Sequence, residues 1–179
     1  MNILVIGGFG FLGGRISQYF LNAGHNVFQG TTRNLKSIKK SMDGVHAVQI
    51  NLNSQSKLDE ICKDIDLIIH ASGMNSKSCE LDPSGAFDVN AVATSKILQS
   101  AIKMKVKRFV YISTIHVYSD RLNGKISETC SPNNLHPYAS SQQAGENIVL
   151  WAQKNDLIDG IVIRVSNGFG EPISKDINY

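Results

Sequence analysis

The stretch that decides the fold is Met1-Asn-Ile-Leu-Val-Ile-Gly-Gly-Phe-Gly-Phe-Leu-Gly-Gly14, in which a short apolar run breaks into glycines. Residues 2–6 are too few and too rich in β-branched side chains to begin a helix, so we predict the buried first strand of a parallel sheet. An amphipathic pattern over residues 11–23 predicts a helix directly after the glycines. The stretch therefore predicts a strand, a tight turn and a helix.

Gly7, Gly10 and Gly13 fall at G-x-x-G-x-x-G spacing within this turn. In a dinucleotide-binding turn, such glycines allow the sharp bend, admit the pyrophosphate close to the backbone and let the helix pack tightly on the strand. The helix N-terminus then offers free N–H groups and a positive dipole end to the phosphates. A loop that needs only positive φ shows the same triplet, but the flanking strand and helix favour a dinucleotide site.

The composition argues against several protein classes. The 179 residues suit one domain, and 42% hydrophobic and 18% charged residues without a long apolar run predict a soluble protein with no membrane span. The net charge of +3 is small and scattered, which argues against a nucleic-acid partner. Three dispersed cysteines without C-x-x-C, and no apparent signal peptide, fit a cytoplasmic location. No metal site is predicted.

Strand and helix patterns alternate along the rest of the chain, with one long irregular stretch over residues 119–137. The predicted strands are 2–6, 26–30, 46–50, 66–70, 108–113 and 160–165, and the predicted helices are 11–23, 34–41, 54–62, 83–104 and 138–155. Six strands joined by helical crossovers predict an α/β fold of the Rossmann type. Its doubly wound parallel sheet should have the strand order 3-2-1-4-5-6.

Motifs of one family occur in order along the whole chain. They are Gly7-Gly-Phe-Gly-Phe-Leu-Gly13, Asp66-Leu-Ile-Ile-His-Ala-Ser72, Asp88-Val-Asn-Ala91, Tyr111-Ile-Ser-Thr-Ile-His-Val-Tyr118, Pro137-Tyr-Ala-Ser-Ser-Gln142 and Arg164-Val-Ser-Asn-Gly-Phe-Gly170. Together they resemble the nucleotide-binding part of the extended short-chain dehydrogenases/reductases, which include NAD-dependent epimerases and dehydratases of nucleotide sugars. Members of that family continue into a substrate lobe. We expect this lobe to be absent or truncated in this chain and residues 1–179 to be the NAD(P)-binding domain.

The resemblance also implies roles for individual residues. The catalytic hydroxyl maps onto Thr114, the acid/base onto Tyr138, and the substrate contacts onto Thr114 and Asn167. A small nucleotide-sugar substrate and a possible homodimer are implied as well. The implied cofactor contacts are Gly7, Phe9, Gly10, Phe11, Leu12, Gly13, Thr31, Thr32, Arg33, Asn51, Leu52, His70, Ala71, Ser72 and Asn90.

Gln142 departs from the family pattern, which has a catalytic lysine four residues after the tyrosine. A lysine ammonium about 5 Å from the phenol, at an effective dielectric of about 20, favours phenolate by about 3 kcal/mol, or roughly two pKa units. Gln142 supplies hydrogen bonds but no charge, so we expect weakened activity. His116 or His136 could move protons instead, but the sequence favours loop or surface histidines without a catalytic role. The alternative function is that of a module that binds a dinucleotide but catalyses no reaction.

The end of the second strand bears on the choice of cofactor. NAD-binding members place an acidic residue there for the ribose hydroxyls, whereas this chain reads Gly30-Thr-Thr-Arg-Asn34. The Arg33 guanidinium suits a 2′-phosphate, and Thr31 and Thr32 can donate hydrogen bonds to it. We therefore expect NADP in preference to NAD, unless Arg33 points into solvent. At the exit of the third strand, Asn51-Leu52 keeps hydrogen bonding near the adenine but carries no charge.

Overall fold

The apolar run at the start of the chain forms the central strand of a six-stranded sheet. In the computed structural model, which describes residues 1–38, 42–119 and 121–171, this strand pairs in parallel with two neighbours, and the sheet order is β3-β2-β1-β4-β5-β6. The predicted strand order and parallel sheet are confirmed. The strands are β1 (Asn2–Ile6), β2 (Asn26–Thr31), β3 (His46–Gln49), β4 (Leu67–His70), β5 (Arg108–Thr114) and β6 (Asp159–Val165).

Helices cover both faces of the sheet. Alternate residues of β1 point to opposite faces: Ile3 and Val5 join the apolar cluster beneath the first helix, while Leu4 and Ile6 join the larger cluster on the other face. Each face therefore has its own core. The helices are α1 (Phe11–Asn22), α2 (Gln55–Cys62), α3 (Ser76–Leu81), α4 (Pro83–Phe87), α5 (Ala93–Lys103) and α6 (Pro137–Lys154).

The long helix predicted over residues 83–104 is interrupted. A π-helical segment, Asp88–Val92, separates α4 from α5, and the Ala93 N–H bonds the carbonyl of Asp88 five residues earlier. The helix α3, whose start is capped by the side chain of Asn75, was not predicted from the sequence. Both differences lie beside the carboxyl end of the sheet, where α/β folds place their ligands.

A short basic helix was predicted over residues 34–41. In the described part of this range, the structure has a single helical turn. Leu35–Ser37 forms a 3₁₀ turn that begins with the Asn34 side chain accepting a hydrogen bond from the Lys36 N–H. The remainder of that prediction, residues 39–41, lies outside the described residues. A search of the described helices finds none with the length and apolar character to cross a membrane.

Candidate active site

The glycine-rich turn connects β1 to α1, and the space available for a side chain differs among its glycines. Gly7 adopts φ +81°, and a Cβ there would lie 2.9 Å from the carbonyl oxygen of Ala71. A Cβ at Gly13 would overlap the carbonyl oxygen of Gly7, so these two positions need glycine for the fold itself. At Gly10, which precedes α1 with φ −85°, a Cβ would approach only the Gly7 oxygen, at 3.2 Å. Packing therefore restricts the side chain at Gly10 much less than at Gly7 or Gly13.

A cleft of about 380 Å³ opens at the carboxyl end of β1, β2 and β4. The glycine turn forms one wall, the end of β2 forms another, and the loop after β4 forms a third. The sheet thus brings together segments that are far apart in sequence. Of the predicted cofactor residues, those that line the cleft are Gly7, Phe9, Gly10, Thr31, Thr32, Arg33, Leu52, Ala71 and Ser72.

The other predicted cofactor residues lie near the cleft but in different settings. Phe11, Leu12 and Gly13 belong to the first turn of α1, while the Asn51 side chain accepts a hydrogen bond from the Asn53 N–H. His70 and Asn90 are fully buried behind the wall. Cofactor contacts for all six remain predictions.

A chain of buried hydrogen bonds begins at the cleft wall. Ser72 Oγ lies 3.2 Å from His70 Nδ1, and His70 Nε2 lies 3.0 Å from Thr94 Oγ1. Thr94 donates to the backbone carbonyl of Asn90 at 2.7 Å. Since Thr94 gives its only hydrogen to Asn90, His70 donates from Nε2. When the imidazole is neutral, its Nδ1 accepts from Ser72, and each of these groups has a partner.

Burial lowers the pKa of His70 from 6.5 to about 4. Its contribution to stability is complete above about pH 6.5 and is lost as the pH falls towards 4, because the unfolded chain takes up the proton first. We expect the free energy of unfolding to fall by about 2 to 4 kcal/mol across this window. His70→Gln, which keeps a donor for Thr94 but does not titrate, should show a shallower acid loss in denaturant unfolding. An equal loss of unfolding free energy with falling pH in the two proteins would contradict a buried neutral imidazole.

The two predicted catalytic hydroxyls meet at the end of β5. The Thr114 side chain, 4% exposed, lies close to the Tyr138 phenol and acts as a hydrogen-bond donor that lowers its pKa. The Thr114 oxygen accepts a hydrogen bond from the His116 N–H at 3.2 Å, so its own hydrogen is available to the phenol. The structure thus places Thr114 and Tyr138 side by side, and their catalytic roles remain predictions.

Tyr138 lies in the first turn of α6, and His136 is the N-cap residue of this helix. Nδ1 of His136 accepts a hydrogen bond from the Tyr138 N–H at 3.1 Å and so caps the helix. Burial raises the pKa of Tyr138 above its ordinary value of 10, and the Thr114 hydrogen bond offsets part of that effect. Among the described residues, no cationic side chain contributes to lowering this pKa. The phenol is therefore poorly poised as a base.

Gln142 is buried, at 4% exposure, one helical turn after Tyr138. Its Oε1 accepts a hydrogen bond of 2.6 Å from the Tyr111 hydroxyl. Sequence analysis did not single out Tyr111, because a tyrosine in an apolar strand looks like a core residue. The hydrogen bond joins residues 31 positions apart, so no local pattern signals it.

A second polar cluster was also missed. Glu146 is fully buried on α6 and receives hydrogen bonds from Ser113 and from the guanidinium of Arg164, whose Nη2 lies 2.6 Å from Glu146 Oε2. Nη1 of Arg164 donates to the Tyr118 hydroxyl at 2.6 Å. The i+4 spacing from Gln142 to Glu146 was a signal that could have placed Glu146 on the same helix face. This cluster ties the ends of β5 and β6 to α6.

Asn167, the predicted substrate contact, is exposed in the segment that follows β6. A Cβ at the next residue, Gly168, would lie 3.3 Å from the Phe11 ring, and Arg15 of α1 donates to the carbonyl of Glu171. The segment therefore lies against the start of α1. Substrate contact by Asn167 remains a prediction.

Comparison with known proteins gives sequence relatives and fold neighbours. The chain is 27% identical over 171 residues to D-erythronate dehydrogenase of Haemophilus influenzae, covering 92% of this chain and 54% of that protein. It is 27% identical over 184 residues to dTDP-glucose 4,6-dehydratase of Streptomyces niveus, covering 95% and 54%. The structure of Thermus thermophilus UDP-glucose 4-epimerase in complex with NAD superimposes with a TM-score of 0.82 at 24% identity, covering 92% and 54%.

The chain therefore spans about half the length of the relatives that it matches. A family model covers nearly all of it: residues 3–177 match the model of the NAD-dependent epimerase/dehydratase family. The glycine turn, the cleft and the Thr114–Tyr138 pair lie within that match. The chain belongs to the NAD-dependent epimerase/dehydratase family.

Proposed function

We propose that residues 1–179 form the NAD(P)-binding domain of an enzyme that acts on a nucleotide sugar. The observation that carries the proposal is the convergence of the glycine turn, the end of β2 and the loop after β4 on one cleft. Such a cleft at the carboxyl ends of parallel strands is where α/β sheets bind dinucleotides. The names of the similar epimerases and dehydratases support a nucleotide sugar as the substrate class.

In this proposal, a bound nicotinamide cofactor supplies hydride transfer, and the side chains of the chain supply orientation and proton transfer. Thr114 hydrogen-bonds the substrate hydroxyl that is to be oxidised, and Tyr138 removes its proton. Tyr138 acts against a raised pKa and without a lysine beside it, so we expect slow turnover at neutral pH.

A second candidate function is a dinucleotide-binding module without turnover. The uncharged Gln142 and the raised pKa of Tyr138 support it, because both leave the phenol protonated near neutral pH. Incubation with NAD or NADP and a panel of UDP-glucose, dTDP-glucose and D-erythronate, followed by chromatography of the products, separates the two functions. Product formation that Tyr138→Phe abolishes supports the enzyme, whereas tight cofactor binding without product supports the module.

We propose NADP as the preferred cofactor, although similar proteins have been solved with NAD. Arg33 lines the cleft at the end of β2, where the sequence has no carboxylate, and its N–H bonds the side chain of Thr31. Removing Arg33 should weaken NADP binding by about 1.5 to 3 kcal/mol, since the 2′-phosphate of NADP would lose a charge-assisted contact. NAD binding should change little.

Calorimetry on Arg33→Gln with both cofactors measures this difference. Lys36→Gln, which removes the same charge from the neighbouring 3₁₀ turn, is the matched control for general electrostatic attraction. Equal losses for NAD and NADP in Arg33→Gln would show that Arg33 does not contact the 2′ position. A homodimer and a cytoplasmic location remain predictions from the sequence.

A further inference from the structure

Gln29 is a polar residue at a position where its neighbours are apolar. It lies on β2 two residues after Val27 and pairs with Val5 of β1, so its side chain points to the same face of the sheet as these two valines. Val5 and Val27 belong to the apolar cluster beneath α1. Gln29 is nevertheless buried there, at 2% exposure. Burial of an amide is unfavourable unless its polar atoms form hydrogen bonds.

The side-chain amide of Gln29 is only half satisfied. Its Nε2 donates a hydrogen bond of 2.8 Å to the carbonyl oxygen of Gly8, which is itself a buried residue. Its Oε1 is buried and has no donor among the described residues. A reversed amide would place Oε1 against the Gly8 oxygen, so the observed orientation is the favourable one. The hydrogen bond to Gly8 is thus made although it leaves one buried acceptor without a partner.

This hydrogen bond ties the glycine-rich turn to the neighbouring strand. The Gly10 N–H closes the turn by donating to the Gly7 oxygen at 2.8 Å, and the Gly7 N–H donates to the Gly30 oxygen of β2 at 2.9 Å. Gln29 adds a second link from β2, at the Gly8 carbonyl. A Cβ at Gly8 would lie 2.8 Å from Gln29 Cγ, so the Gln29 side chain packs directly against the turn.

The same hydrogen bond sets the orientation of the peptide in the middle of the turn. The peptide between Gly8 and Phe9 is trans, and a trans peptide directs its C=O and N–H groups to opposite sides. Because the Gly8 carbonyl points to Gln29 in the interior, the Phe9 N–H points away from the interior. Phe9 and Gly10 line the cleft. A rotated peptide would turn the Gly8 oxygen, with its partial negative charge, towards the cleft side, where it would repel a phosphate.

We propose that Gln29 is a positioning residue, which holds the Gly8 carbonyl in the interior and so keeps the glycine-rich turn in the shape that binds the pyrophosphate of the cofactor. This inference rests on the proposed function. Gln29 acts through the Gly8–Phe9 peptide and does not touch the cofactor. Its amide therefore contributes to cofactor affinity and not to the stability of the ligand-free fold.

The test is Gln29→Met, which removes the amide and keeps an unbranched side chain of similar length. Gln29 Oε1 lacks a donor before the change and the Gly8 oxygen lacks that of Gln29 after it, so we expect the melting temperature of the ligand-free chain to be unchanged. Calorimetry should show NAD and NADP weakened by the same factor, about fivefold, because both contain the pyrophosphate. A melting temperature that falls together with the affinity would give Gln29 a structural role and overturn the inference.

The two cofactors separate this role from that of Arg33. A loss for NADP alone would show that Gln29 acts through the end of β2, and unchanged affinity for both cofactors would show that the turn does not need this hydrogen bond. Either result would overturn the inference. Gln29→Leu repeats the measurement with an apolar side chain of different shape, and the same pattern of results is expected.

Ser17→Ala is the matched control. It removes another buried hydrogen bond beneath α1, from Ser17 Oγ to the Gly13 oxygen at 2.7 Å, and it should leave the affinity for both cofactors unchanged. Equal losses in Ser17→Ala and Gln29→Met would mean that any lost hydrogen bond near the turn has this effect, which would also overturn the inference. If the unaltered chain binds neither NAD nor NADP, the proposed function itself fails, so the two failures can be distinguished.

Discussion

Gly10→Val is expected to abolish dinucleotide binding while leaving the sheet folded. The residue lines the cleft at the start of α1, where a pyrophosphate would have to approach the backbone with no side chain in between. Its φ of −85° is ordinary for any residue, so valine should cause little backbone strain. We expect calorimetry to show a loss of at least about 100-fold for NADP, since the N–H groups of the helix N-terminus would be covered.

The neighbouring glycine provides the control. A Cβ at Gly13 would overlap the carbonyl oxygen of Gly7, so Gly13→Ala should lower the melting temperature, whereas Gly10→Val should not. Unchanged NADP affinity in Gly10→Val would show that the dinucleotide binds elsewhere. A common loss of stability in both variants would show that Gly10 is also required for packing.

Gln142→Lys is expected to lower the pKa of Tyr138 and to move any pH optimum of turnover down by about one to two units. The ammonium would lie one helical turn from the phenol on the same face of α6. The site is buried, so desolvation of the lysine removes part of the roughly 3 kcal/mol expected at 5 Å. The difference in tyrosine absorbance between pH titrations of Gln142→Lys and Gln142→Lys/Tyr138→Phe measures the phenol directly. Where a substrate is turned over, Gln142→Lys should be faster at neutral pH, and Tyr138→Phe should cancel the gain.

A lysine variant that is no faster and whose phenol titration does not shift would contradict the acid–base role of Tyr138. His116 would then be the next residue to substitute. Its N–H already contacts Thr114, so its ring lies near the same end of the sheet. His136 is a weaker candidate, because its Nδ1 caps α6.

The sequence predicted the sheet well because strands and helices here have strong local signals. An apolar run that ends in glycine predicted β1. Ser54 and Pro83 predicted the starts of two helices, and the structure has helices that begin at or directly after these positions. The helix α3 was missed because its six residues, SKSCEL, are too few to show a helical period. The π-helical segment was missed because its backbone change leaves the apolar pattern of the surrounding helix intact.

The residues of the candidate site could be proposed from the sequence where they belong to a local motif. Gly10, Arg33 and the Thr114–Tyr138 pair follow from motif residues at the ends of strands, and the structure places them at one end of the sheet. The pairing of Tyr111 with Gln142 was not predictable, since it depends on the distance between β5 and α6.

The π-helical segment restricts which insertions and deletions this part of the chain can accept. A π-helical turn contains about one residue more than an α-helical turn. The segment therefore rotates α5 relative to α4. We expect that deleting one of residues 88–92 other than Asn90 would restore a regular helix and turn Asn90 away from Met74, Ser141 and Tyr111 together. A length change of one residue beside the sheet would thus disconnect the cleft wall from α6, although the glycine turn and Arg33 on the other walls of the cleft were unchanged.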